Sequence, residues 1–294
     1  MKDVKDFRSI DEQINILITR GLIINDKKIA EKYLSTINYY RLSAYTLTLR
    51  KDDKFYNDVK FEDVLEIYFF DMELRNALMQ LLAAIEISVR AHVSYVHSKT
   101  YGPLGYENSR NFHRDSWHKE FIETYNSCIE NYAHNEIFIK HHIDEYGGKY
   151  PLWVLVDILT FGTLSKLFSN LRPSTQIEIS KTYYNDKPIG FLRNWLHAAS
   201  ILRNLCAHQG RLFNRSINFA VSFLREDMKI FNTYAIPLDV ANKTLFGYLL
   251  NIKKLVPRGE VWEDFNKKFK DLVIKYPFVL LKHYGFPDNW EDFL

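Results

Sequence analysis

The sequence predicts an all-α protein, with a helical bundle core, a small helical N-terminal unit before it and a mostly helical C-terminal extension after it. Three observations predict it. Glycine and proline number only 11 and 8 in 294 residues, too few turn formers for an all-β chain of this length. Apolar residues recur at steps of three and four, the spacing that lines one face of a 3.6-residue helix. Hydrophobic residues make up 47% of the chain and aromatic ones 15%, which suits a large buried core and is foreign to disordered chains.

The elements follow in order. Ser9-Ile10-Asp11-Glu12 has the form of a capping box, and the helix it opens runs through Ile14, Leu17 and Ile18 to stop near Gly21. Asn25-Asp26 opens a second short helix carrying Ile29, Tyr33 and Leu34, and a third is expected over roughly Tyr39 to Arg50. Three short helices in a row resemble a helix-turn-helix only as many such trios do. Past a polar loop at 52–58 comes the strongest pattern: Phe61, Leu65, Tyr68, Met72, Met79, Leu82, Val89, Val93 and Val96. Arg75 and Glu86 interrupt that stripe about three turns apart, with Asp71 one turn before and Arg90 one turn after. A charge on a core-facing stripe must be paired or face a cleft. Two intrahelical ion pairs, Asp71–Arg75 and Glu86–Arg90, satisfy the first condition; a place beside a functional site satisfies the second.

Tyr101-Gly-Pro-Leu-Gly105 breaks the helix, and further helices are expected over 114–134 and 136–146 before Gly147-Gly148 and Pro151 turn the chain. Leu152–Phe168 is the most apolar stretch, but Asp157 and Lys166 interrupt it and Gly162 divides it, so it reads as two buried helices and not a membrane span. Pro188 opens a helix with a stripe of Leu192, Trp195, Leu196, Ala199 and Leu202. In the C-terminal part Leu245–Lys254 and Trp262–Lys275 are the clearest helices, while 219–224 and 232–236 have no decisive pattern. The chain divides on this reading into 1–58, 59–225 and 226–294.

Net charge is only +3, so a uniformly basic coat for nucleic acid is excluded. From Lys187 to Arg225, however, there is no acidic residue, where composition would place about five. Six cations stand there, a local field suited to phosphates. Cys128 and Cys206 form no disulfide framework, and a reducing, cytoplasmic home with no leader segment is expected. Zinc-binding spacings are missing, as are the phosphate-cradling glycine loops and the serine elbow, so no metal and no cofactor is expected.

One segment can carry chemistry: Leu202-Arg203-Asn204-Leu205-Cys206-Ala207-His208-Gln209-Gly210-Arg211. Asn204 and His208 share a helical face, and Arg211 and Arg215 extend that line if the helix persists past Gly210. Arg203 lies about 140° from His208 around a regular helix, so the two converge only if the helix end distorts or a second copy of the chain completes the site. An arginine can hold a phosphate bidentately, and an imidazole titrates near neutrality, so the pair suits metal-free cleavage of RNA through its 2′-hydroxyl. Asn204 would fix the imidazole or the phosphate. On residues alone, an Arg and a His near a helix end are more often surface cations or caps.

Arg203 to His208 matches the Arg-x(4–6)-His motif of the HEPN superfamily. With Gly21-Leu22-Ile23-Ile24, Asn38-Tyr39-Tyr40-Arg41-Leu42-Ser43-Ala44-Tyr45, Asp71-x-x-Leu-Arg75 and the Glu86 helix, residues 9–215 resemble the Abi-like (AbiD/AbiF) abortive-infection family of bacteria. The resemblance implies a HEPN-type helical bundle and a homodimer whose two motifs line one composite cleft. It also implies a metal-independent endoribonuclease acting in phage defence or as a toxin, restrained by a structured RNA or a protein antitoxin. Carried onto this chain, Arg203, Asn204 and His208 are the catalytic set, and Arg75 and Glu86 support them from behind. Arg193, Arg211 and Arg215 would track the RNA backbone. Two rivals use the same letters: a non-catalytic protein that binds a structured partner RNA, and a protein-interaction scaffold.

Overall fold

Ser9 opens the first helix as its capping box requires. The Glu12 amide donates to Ser9 Oγ at 3.3 Å and the Ser9 amide donates to the Glu12 carboxylate at 2.7 Å, so two end amides that lack helical partners are satisfied reciprocally. In the computed structural model, which describes residues 4, 6–132 and 136–294, this helix α1 spans Ile10–Thr19 and ends at Gly21 with φ +93°. Asp26 caps α2 (Lys27–Ile37), and Asn38, with φ 71°, turns the chain into α3 (Tyr39–Ser43).

The third helix is shorter than the sequence predicts. It stops at Ser43 and gives way to turns and a two-stranded antiparallel hairpin, β1 (Arg50–Lys51) and β2 (Lys54–Phe55). Asp52 and Asp53 both take positive φ, 48° and 63°, which is the geometry of a tight hairpin turn. Thr46 and Thr48 also oppose a continued helix, since β-branched side chains lose rotamer freedom there. The Phe55 amide donates to the Arg20 carbonyl at 2.8 Å and anchors the hairpin to the end of α1.

Helix α4 (Phe61–Tyr101) is the axis of the molecule, 41 residues long. By length and composition it could cross a membrane, yet four later helices, Leu152–Ile158, Pro173–Tyr183, Ile189–Ala207 and Gly259–Lys275, pack along it here. Those helices follow α5 (Asp115–Tyr132) and α6 (Ile137–Tyr146); residues 133 and 134 of the helix expected over 114–134 lie outside the described residues. Next come α7 (Leu152–Ile158), α8 (Phe161–Asn170), α9 (Pro173–Tyr183) and α10 (Ile189–Ala207). The break between α7 and α8 falls at Leu159-Thr160, not at Gly162, which lies inside α8. Thr160 decides this by accepting the Thr163 amide at 3.1 Å as an N-cap.

The C-terminal part forms α11 (Arg225–Thr233), α12 (Leu238–Ala241), α13 (Leu245–Ile252) and α14 (Gly259–Lys275), with short 3-10 turns between and after them. Residues 219–224 are irregular and 232–236 contain the end of α11. Helix α14 lies along α4, pinned by Lys275 Nζ and the Tyr276 hydroxyl on Glu73 at 2.7 and 2.6 Å and by the Phe278 amide on Glu66 at 2.7 Å. One continuous cluster of buried apolar side chains runs from Ile14 to Leu294 through all three segments. His118 is buried in that core with Nε2 at 2.8 Å from the Tyr106 carbonyl.

Candidate active site

Asp71 is fully buried on α4, and it survives there because donors surround it. The Tyr45 hydroxyl donates to it at 2.8 Å, the Tyr284 hydroxyl at 3.2 Å, and the Leu212 and Phe213 amides at 3.1 and 2.8 Å. Arg75, one turn on, forms the ion pair. Burial works against the Arg75 charge, and Asp71 and Tyr45 together more than offset that, so the guanidinium is held above its ordinary range. This one carboxylate ties together the N-terminal unit, the loop after α10 and the C-terminal extension. Arg75 is therefore a partner of that hub. The hub fixes where the loop beyond His208 begins.

Three turns along the same face, Glu86 does a different job. Its Oε1 pairs with Arg90, whose Nη2 also donates to the Leu159 carbonyl at 2.7 Å. Its Oε2 lies 3.2 Å from Nε of Arg203 on α10. Glu86 is nearly buried, and the Arg203 side chain is about a third exposed, so the pair sits at a surface opening. That opening is a groove of about 1010 Å³ between α4 and α7, with Arg90, Tyr95, Trp153 and Asp157 on its walls. Arg203 Nη1 also lies 3.3 Å from the Asn204 side-chain oxygen. A carboxylate that grips one nitrogen of a guanidinium orients the rest of the fork, which is the arrangement for receiving a phosphate.

Helix α10 is regular through Ala207, and His208 is its C-cap. Gln209 then takes φ 55°, and the Gly210 amide donates back to the Leu205 carbonyl at 2.8 Å. Gly210 is required there, because a Cβ would collide with the Leu205 side chain. Distortion thus begins only after His208, and the offset of about 140° between Arg203 and His208 stands within one chain. The structure joins Arg203 with Glu86 and Asn204. It does not bring His208 to them: its exposed side chain makes no hydrogen bond among the described residues, and it does not line the groove.

The line through Asn204 and His208 does not continue to Arg211 and Arg215, because the helix has ended. Arg211 folds back on its own loop, donating to the Phe213 and Asn214 carbonyls, and exposed Arg215 reaches the Arg211 carbonyl at 3.4 Å. Arg193 stands ten residues before Arg203, about 15 Å down the helix axis, against α8 and α9. Cys206 packs in the core, where burial pushes its thiol up to about 12 and so keeps it protonated.

Sequence reasoning missed Arg41. From α3 it donates to the Gln209 carbonyl at 2.6 Å, holding the turn that follows α10, and it lies over the Tyr68 ring. Tyr45 was missed with it. Both lie in Asn38–Tyr45, a stretch marked in the sequence by an expected helix and a family likeness but by no functional pattern. Among the described residues no three His, Cys, Asp or Glu side chains gather as metal ligands. Comparison with curated proteins and with solved structures returns no match. A family model described as Abi-like protein does match, over residues 32–214, a span that holds α3, Asp71 and Arg75, Glu86 and the whole Arg203–His208 segment. The chain belongs to the Abi-like protein family.

Proposed function

We propose that this protein is a metal-independent endoribonuclease of the HEPN type, acting in abortive infection or as a toxin, with a composite site where two copies meet. The observation that carries the proposal is the Glu86–Arg203 ion pair at the edge of an open groove, on the helix whose last turn presents His208. Arg203 would bind the scissile phosphate and stabilise the charge that grows on it. One His208 would take the proton from the 2′-hydroxyl as its oxygen attacks phosphorus. The bond from phosphorus to the 5′-oxygen breaks, and that oxygen takes a proton from the second His208. The products are a 2′,3′-cyclic phosphate and a free 5′-hydroxyl. DNA, lacking the 2′-hydroxyl, would survive.

The separation of Arg203 and His208 within one chain supports a site that a second copy completes. Ile87, Tyr95 and Trp153 stand 66, 63 and 51% exposed beside the groove, an apolar rim suited to a second copy. The test is end-labelled RNA incubated in EDTA with wild-type protein and with His208→Ala and Arg203→Ala. Cleavage to cyclic-phosphate ends by wild type alone is expected, with both variants folded. RNA left whole but shifted in a gel would favour a non-catalytic protein that binds a structured RNA. Equal cutting by all three would remove both residues from the chemistry.

A further inference from the structure

At the other end of α10 from His208, a second hollow of about 430 Å³ opens between that helix, α8 and the start of α5. Arg114, Arg193 and Lys166 line it with Trp117 and His197. Lys166 already has a partner, Glu120 at 2.7 Å, but neither arginine pairs with a carboxylate among the described residues. Both are held in place by buried amides. Gln176, fully buried, accepts Arg193 Nε at 2.7 Å and is itself anchored through Nε2 on the Leu171 carbonyl at 2.7 Å. Asn170, also buried, accepts the Arg114 amide at 2.9 Å and donates to the Arg114 carbonyl at 3.1 Å. The Arg114 guanidinium lies 4.5 Å from the Trp117 ring centre.

Two like charges are costly to hold facing one concave space, and the cost shows: burial and the Arg114 charge both hold Arg193 below its ordinary range. A ligand that relieves the repulsion must be an anion, and a planar guanidinium gripped at Nε presents its remaining nitrogens to a tetrahedral oxyanion. A second hollow of about 530 Å³ adjoins the first, sharing Trp117 and Lys166, with Phe121, Thr163 and the Glu120 carboxylate on its walls. Charge sets the direction of anything that spans both. The phosphate belongs on the arginine side, away from Glu120; hydroxyls and ring amines belong on the Glu120 side. Trp117 stands between as a face for a base.

We infer that these adjoining hollows form a binding site for a nucleoside monophosphate unit, free or as one residue of an RNA strand, with Arg114 and Arg193 on the phosphate. The site uses none of Arg203, Glu86 or His208, so it stands or falls apart from the cleavage reading.

The experiment is calorimetric titration of the His208→Ala protein with uridine and adenosine 5′-monophosphates, the matching nucleosides and inorganic phosphate. Both monophosphates are expected to saturate one site at least about tenfold more tightly than the nucleosides or phosphate alone. Adding Arg114→Ala, on an exposed side chain that does not support the core, should weaken binding by about tenfold, and Arg193→Lys should do the same by removing the fork. Adding Arg203→Ala should leave it unchanged. Displacement of the monophosphate by a short oligoribonucleotide assigns the unit to a strand, and no displacement assigns it to the free nucleotide. Absence of saturable binding, equal affinity in the Arg114 and Arg193 variants, or loss of binding in Arg203→Ala would each overturn the assignment.

Discussion

Asp71 shows what one buried carboxylate can hold. Five donors from four parts of the chain converge on it, so its charge is compensated by the protein's own groups. Asp71→Asn keeps the shape but leaves Arg75 charged and uncompensated, which typically costs about 3–5 kcal/mol. Urea denaturation should show the loss with an unchanged slope; a cost below about 1 kcal/mol would mean the hub is incidental. Glu86 differs, because it touches Arg203. Glu86→Gln removes the charge that aims the guanidinium, and cleavage should fall by about tenfold to a hundredfold, as small misplacements of a reacting group do. Rates compared with Glu86→Asp and read beside melting curves separate aiming from folding, since a structural role alone would move only the melt. At this scale the sequence was partly legible. Charges on an apolar stripe announced that Asp71, Arg75, Glu86 and Arg90 matter. The family likeness put Glu86 behind the Arg203–His208 segment, but no local pattern named Arg203 as its partner, because that contact joins helices more than a hundred residues apart.

Among elements, α4 and the end of α10 carry the argument. The α4 pattern was plain in sequence because core burial imposes a period of 3.6 over eleven turns. Its two inward histidines add a pH dependence. Burial pushes His97 and His92 down to about 4, so the fold holds them neutral. A depressed folded-state value means the stability each contributes is full above an unfolded imidazole's pKa of about 6.5 and is lost as pH falls from there to about 4. His97→Phe should therefore lose less stability than wild type between about pH 7 and pH 4.5, by about 2 kcal/mol, in denaturant titrations at both values. The end of α10 was less legible. Gly210 marked the stop, but the turn beyond the His208 cap is held by a contact from Arg41 on a different helix. Removing it by Arg41→Ala should cost about 1–2 kcal/mol and speed amide exchange at 208–213, leaving α1 untouched.

For the whole molecule, the C-terminal extension is built into the same core as the rest. Helix α14 runs along α4, and Tyr284 reaches Asp71 from the last stretch of the chain. The α4–α7 groove is open and has an apolar rim. Trp153→Glu should shift the protein to monomer in sedimentation velocity and abolish cleavage with the fold intact, if two copies meet there. A dimer that survives the change would place the second copy elsewhere.

By itself the sequence determined that the chain is helical, where most helices start, and which short segment sets an Arg and a His at one helix end. These are local properties, written in capping residues, in the 3.6-residue period and in an Arg and a His five positions apart. Tertiary structure decided the rest: that Arg203 is aimed by Glu86, that Arg41 and Asp71 hold the turn behind His208, and that Arg193 faces a separate hollow with Arg114. Each of those is a pairing between distant residues, chosen by how helices pack. No local pattern records which face of one helix will meet which face of another.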